Sequence, residues 1–270
     1  MKPKLKSFLL ALLYTVGFCV IQMAVAAIGL LIASKSHQNV MQYMMQNMMM
    51  LTLIANLLIL TGIILTVNLR KQKFSDVCGL RTVHLTAFLL PFLACAVFSF
   101  AWNMVLTIVP IPQFLMGKMG LVNDGVLDGK VVSILSAYLI SPLVEELVFR
   151  GLVQTRLRKA MSAFWSVFLS ALLFSAVHFM TGSVMTVIFT FMIGLVCALA
   201  YEKTGSILPA IVAHIVCNLC GMAPNLVASL SPIRQYLIIG ALAVSSIVFF
   251  VLLLVKPSKM PEFPSHKQTI

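Results

Sequence analysis

The chain has 270 residues, 61% of them hydrophobic and 10% charged, where a soluble domain carries about 25% charged residues. A water-soluble fold of this length is excluded, and the solvent is a lipid bilayer. The net charge of +12 reads as basic residues flanking membrane spans, so no nucleic-acid partner is expected.

Taken from the start, Lys2, Lys4 and Lys6 precede an apolar run over 8–33. Small residues at 24–27 resemble a signal-peptidase site, but the run is too long for a cleaved signal and reads as a retained first span. Runs near twenty apolar residues are candidate spans, and eight occur: 8–33, 43–68, 85–109, 131–153, 163–180, 184–202, 206–228 and 235–255. The polar interruptions 69–84 and 110–130 read as loops. The expected fold is an all-α polytopic transmembrane bundle in three parts. Residues 1–130 hold three N-terminal spans and loops, 131–228 a catalytic core, and 229–270 the last span and a short cytoplasmic tail. The methionines over 41–50 read as apolar lining rather than a copper site, since no His or Cys lies nearby. The six cysteines show no paired pattern in the outer loops, so no disulfide framework is expected.

With the N-terminus inside, the inner segments hold fourteen Lys/Arg and the outer ones four (Lys35, Lys118, Lys130 and Arg234), leaving Arg150 within a span. That bias is what eight spans with both termini cytoplasmic require.

Seven residues are acidic, and two of them, Glu145 and Glu146, fall inside the fourth apolar run. Each ionised group near the bilayer centre costs roughly 2.5–3.5 kcal/mol on insertion scales, and such groups are functional by default. At about 100° per residue, Arg150 lies about 40° from Glu146 and about 140° from Glu145. Glu followed by a basic residue at i+4 is the favoured order. Glu146 is therefore compensated by Arg150, and Glu145 projects elsewhere with the raised pKa of a desolvated carboxylate beside another one, the condition of a general base. Pro142, one turn earlier, removes a backbone hydrogen bond and opens room beside Glu145. His178 falls near the end of the fifth run. His214 and Asn218 share a face of the seventh at i, i+4. Either feature alone reads as an interfacial histidine or an interhelical hydrogen-bond pair; together with the glutamates they read as a site. Glu145 lies about 16 Å from Arg156 along the helix and His214 at a comparable depth. His178 fits that level only if its span is short or tilted.

These residues resemble the family of CAAX proteases and bacteriocin-processing enzymes, the CPBP or Abi family, over roughly 140–220. The first motif is Glu145-Glu146-Leu147-Val148-Phe149-Arg150 followed by Gly151, the second Phe174 with His178, the third His214 with Asn218; the lead-in Thr204 to Ala210 is also similar. The resemblance implies an intramembrane endopeptidase, a CAAX prenyl protease-like hydrolase. Glu145 would activate a water with His178 assisting. His214 and Asn218 would stabilise the oxyanion, and Glu146 with Arg150 would hold the site. The same resemblance leaves two mechanisms open, a metal-free glutamate mechanism or a metalloprotease with zinc on His178, His214 and Glu145, a His₂Glu set. Its partners would be a peptide or membrane-protein substrate in the lipid bilayer, or a membrane signalling partner, in a bacterial plasma membrane. Zincin, rhomboid and presenilin-type motifs are absent from the sequence. Two rival readings are a non-catalytic membrane regulator or bacteriocin-immunity protein of the same fold, and a proton-coupled transporter. Against the transporter, no inverted repeat is visible.

Overall fold

The computed structural model describes residues 2–35, 39–116, 131–220 and 230–260. Helix is the regular structure throughout, with no strand among the described residues. Eight apolar helices appear where the apolar runs predict them. We label the helices α1 (Pro3–Lys35), α2 (Val40–Leu69), a short α3 (Phe74–Cys78), α4 (Thr86–Ile108), α5 (Val131–Ala160), α6 (Ala163–Val177), α7 (Val184–Thr204), α8 (Leu208–Cys220) and α9 (Pro232–Val255). Six of them (α1, α2, α4, α5, α7 and α9) are long and apolar enough to cross a bilayer. The other two are short. The 15 residues of α6 reach about 22 Å at 1.5 Å per residue, against a hydrocarbon core of about 30 Å. His178 thus closes a helix shorter than the bilayer core, the first of the two conditions set for it above. The expected end of the seventh run, 221–228, lies outside the described residues, as do Lys118, Lys130, Asp124, Asp128, Glu262 and Lys267.

Caps and left-handed glycines mark the boundaries. Asn39 accepts the Gln42 N–H at the start of α2, and Ser183 the Thr186 N–H at the start of α7. These are the acceptors an exposed helix start needs. Gly205 closes α7 at φ 69° and Gly79 closes α3 at φ 69°, a conformation that favours a residue without Cβ.

Helix α5 is the hub, packed by α1 and α2 on one side and by α6, α7 and α8 on the other. The Phe149 ring stands edge-on to Phe18 of α1 at 5.4 Å and to Phe174 of α6 at 5.2 Å, centroid to centroid. A second layer joins α4, α7, α8 and α9 through small side chains such as Ala94, Cys95, Ala198, Ala210 and Ala213, which let membrane helices approach closely. All six cysteines are free, as expected. In α9 only Leu253 is fully buried, with Phe249 and Phe250 half-buried against the same layer, and most of the remaining side chains face outward.

One end of the bundle gathers three polar connections. Ile207 N–H donates to the Gly79 carbonyl (3.0 Å) and the Ser206 hydroxyl to the Arg81 carbonyl (2.6 Å). Arg158 pairs with Glu202 at 3.1 Å. The tail folds back so that Lys259 and Met260 N–H reach the Glu202 carbonyl. The loop after α2, the turn before α8 and the tail after α9 are the segments assigned above to the cytoplasmic side, and they share this end.

Candidate functional site

Helix α5 runs continuously from 131 to 160 but holds two π-helical stretches, Ser136–Ile140 and Leu147–Gln154, around an α-helical segment, Ser141–Glu146. π turns are rare and frequent at functional sites. Pro142 accounts for part of the first. The Ser141 N–H bonds to the Ser136 carbonyl, one residue further back than an α-helix would use, so the Ala137 carbonyl loses its α partner. Its π partner would be residue 142, a proline with no N–H. The orphaned carbonyl is taken by Asn218 of α8, whose Nδ2 donates to it at 3.0 Å. A polar chain from the other side braces the same stretch. Gln22 Nε2 donates to Asn56 Oδ1 (3.0 Å), and Asn56 Nδ2 to the Ser141 hydroxyl (2.8 Å).

The two glutamates sit at the junction with the second π stretch. Glu146 is fully buried, and its Oε1 lies 3.0 Å from Arg150 Nη1, the i, i+4 pairing expected. Arg150, also fully buried, donates through Nη2 to the Gly194 carbonyl at 2.9 Å and lies over the Phe174 ring, 4.7 Å from its centroid. Glu146 has a second partner that the helical arithmetic did not supply: His214 Nδ1, 2.9 Å from the same Oε1. The Nδ1–H donates and the carboxylate accepts. On the far side of the imidazole, Nε2 lies 3.8 Å from Glu145 Oε2. The imidazole is thus held between the two carboxylates. Glu145 is the more open of the pair, its side chain 14% exposed against 0% for Glu146.

His178 stands at the C-terminal cap of α6, its Nδ1 2.8 Å from the Phe174 carbonyl. Phe174 links it to the rest, its ring 4.8 Å from His178 and 5.6 Å from His214, edge-on to both. The structure therefore brings Glu145, Glu146, Arg150 and His214 into one cluster. It places Asn218 one turn along α8 against Ala137, and sets His178 behind the Phe174 ring.

Several supporting residues escaped the sequence reading. Gln154 is fully buried and donates to the Ala198 carbonyl (3.0 Å). The Ser170 hydroxyl bonds the Phe149 carbonyl (3.1 Å) inside the second π stretch. Gly194 lets α6 approach: a Cβ there would lie 3.2 Å from Ala171 Cα. Gly151, already part of the first motif but without a stated role, is tighter still, for its Cβ would meet the Cys78 carbonyl oxygen at 2.9 Å. The signal available for these was a polar or small residue inside an apolar run, and Gln154 fell one residue past the predicted end of its span.

Cys197 is also nearby. Glu146, Cys197 and His214 can each offer a ligand atom, all within 4.8 Å of one another, so this buried group could hold a metal. It is not the His178, His214 and Glu145 set expected from the resemblance. The guanidinium 3.0 Å from Glu146 works against a dication on that carboxylate. Glu145 Oε2 and His214 Nε2, at 3.8 Å, are separated by less than twice a zinc–ligand distance of about 2.1 Å, so that pair can accommodate either an ion or a water. Cys217 takes the Ser99 hydroxyl (3.1 Å) and packs with α4, as expected of a small residue at a helix contact.

This is a helical membrane bundle with an acid–base cluster buried between α5 and α8 and backed by α6 and α7. Residues 128–220 match the family model described as type II CAAX prenyl endopeptidase, Rce1-like, a finding consistent with the CPBP family. The match spans α5 to α8 and holds every candidate site residue. No curated protein and no solved structure matches.

Proposed function

We propose that the protein is an intramembrane endopeptidase of the CAAX type, acting on a membrane-associated peptide, with Glu145 as general base. The observation that supports it best is His214 held between two carboxylates, one buried and paired, the other more open. Glu146 carries the structural load: it balances Arg150 and fixes the imidazole through Nδ1. That leaves Nε2 and the Glu145 carboxylate facing each other across a gap fit for water.

In the proposed reaction Glu145 takes a proton from that water, and the hydroxide adds to the scissile carbonyl carbon. The negative charge on the carbonyl oxygen is met by donors in place beforehand, the arrangement that contributes most to acyl transfer. His214 presents Nε2–H when both ring nitrogens carry protons, a state that the two flanking carboxylates and Arg150 make neutral overall. Asn218 has a second amide N–H besides the one given to Ala137. Collapse breaks the C–N bond, and the proton held by Glu145 passes to the leaving amine. Should a metal bind Glu145 and His214, it would supply Lewis acidity at the same oxygen; the residues' duties in positioning and proton transfer stay the same.

The test is cleavage of a fluorogenic peptide ending in a prenylated CAAX-type sequence by purified protein in detergent. Wild type should cleave it, and Glu145→Gln should be inactive while folded. Wild-type inactivity on prenylated and unprenylated peptides, with proton flux in liposomes lost in Glu145→Gln, would replace the peptidase with a transporter.

A further inference from the structure

Away from the catalytic cluster, α1, α2 and the outer face of α5 enclose a cleft of about 240 Å³ that none of the six candidate site residues lines. Its wall is apolar, built from Leu13, Phe18, Ile59, Ile63, Val148 and Leu152, with Arg70, Arg156 and Gln72 also lining it. Two glycines open it: a Cβ added at Gly17 or at Gly62 would meet nothing within 4 Å. Among the described residues neither Arg70 nor Arg156 is in an ion pair, and both belong to the basic end of the bundle. We propose that this cleft binds an anionic phospholipid, one acyl chain along the apolar wall and the phosphate against Arg70 and Arg156.

The composition decides the occupant. A zwitterionic lipid would fill the wall and bring a phosphate to the two guanidiniums, but its own ammonium cancels that charge and leaves the site with a net excess of cations. A free anion would satisfy the arginines and leave the apolar wall uncovered. Basic pockets between membrane helices on the cytoplasmic side are known anchor points for anionic headgroups, with about 1 kcal/mol per Lys or Arg near the surface. Two arginines thus predict roughly thirtyfold preference over a neutral headgroup at low salt. The volume admits part of one chain, so one lipid per protein is expected.

The experiment is native mass spectrometry and thermal unfolding of the full chain in neutral detergent, titrated with phosphatidylglycerol, phosphatidylcholine or inorganic phosphate. Wild type should retain one phosphatidylglycerol with about thirtyfold preference, and phosphate alone should not raise Tm. Arg70→Gln with Arg156→Gln should lose the preference while still admitting phosphatidylcholine. Gly62→Phe should exclude both lipids, and Gly240→Phe, on α9 where a Cβ also meets nothing, should behave as wild type. Equal retention of the two lipids by wild type, an unchanged preference in the arginine variant, or protection by phosphate equal to that by the lipid would each overturn the proposal. Should Gly62→Phe lower Tm in lipid-free detergent, the arginine variant still decides.

Discussion

Replacing Glu146 by Gln separates the two carboxylates in a way that activity alone cannot. The amide keeps the shape and an oxygen that can still accept from His214 Nδ1, but it removes the charge facing Arg150. Breaking a buried ion pair by removing one partner costs about 3–5 kcal/mol, because the other charge is left uncompensated. Arg150 retains its bond to the Gly194 carbonyl and its place over Phe174, so the lower end, about 3 kcal/mol, is expected. Adding Arg150→Met removes the stranded charge together with its hydrogen bond to the Gly194 carbonyl, worth about 1.5–3 kcal/mol for a charged donor, while that carbonyl keeps its helical N–H partner. The double variant should therefore recover part of the lost stability and stay below wild type. Glu145 makes no hydrogen bond to His214 at 3.8 Å, so Glu145→Gln should unfold close to wild type while losing cleavage. Thermal unfolding in detergent, run beside the peptide assay on all four proteins, reads both quantities. The division of labour is wrong if Glu145→Gln is the less stable single variant and still cleaves.

Gly151→Ala forces a Cβ to 2.9 Å from the Cys78 carbonyl oxygen and 3.1 Å from its Cα, backbone atoms that cannot swing aside. Overpacking of this kind costs about 1–3 kcal/mol and should lower Tm, whereas Gly240→Ala, with open space around it, should not. Asn218→Ala strands the Ala137 carbonyl and should destabilise by about 1–3 kcal/mol. Adding Pro142→Ala returns an N–H to that position and should restore stability; no rescue would mean that the first π stretch does not depend on the proline. Because Arg150 opposes a dication at Glu146, any zinc carried by active protein should be held at Glu145 and His214, so Cys197→Ala should leave metal content and chelator sensitivity unchanged, and zinc lost in that variant would refute this. Cysteines placed at Gln72 and Ser258 in a cysteine-free background should both be labelled by an impermeant maleimide in inverted vesicles and both be protected in right-side-out ones, or the shared-end topology fails.

The apolar helices were legible because the bilayer imposes a length and a composition on anything that crosses it, and both are written locally. The pairing of Glu146 with Arg150 was legible for the same reason, since four residues on a helix fix a neighbourhood. His214 between the glutamates was not, because that contact joins residues 68 apart and depends on how α8 leans on α5. The π stretches were hidden more deeply. Pro142 announced a missing hydrogen bond and room beside Glu145, but not how the helix would absorb the loss. The chain shifts its ladder by one residue and lets a side chain from another helix meet the carbonyl left over. Whether a proline bends a membrane helix or shifts its register depends on whether some neighbour can reach that carbonyl, and here the neighbour is Asn218. An i, i+4 histidine and asparagine on one face of α8 thus has two duties. One residue reaches the acidic pair, while the other pins the backbone turn that precedes it, so the spacing that carries the motif also sets the distance between them.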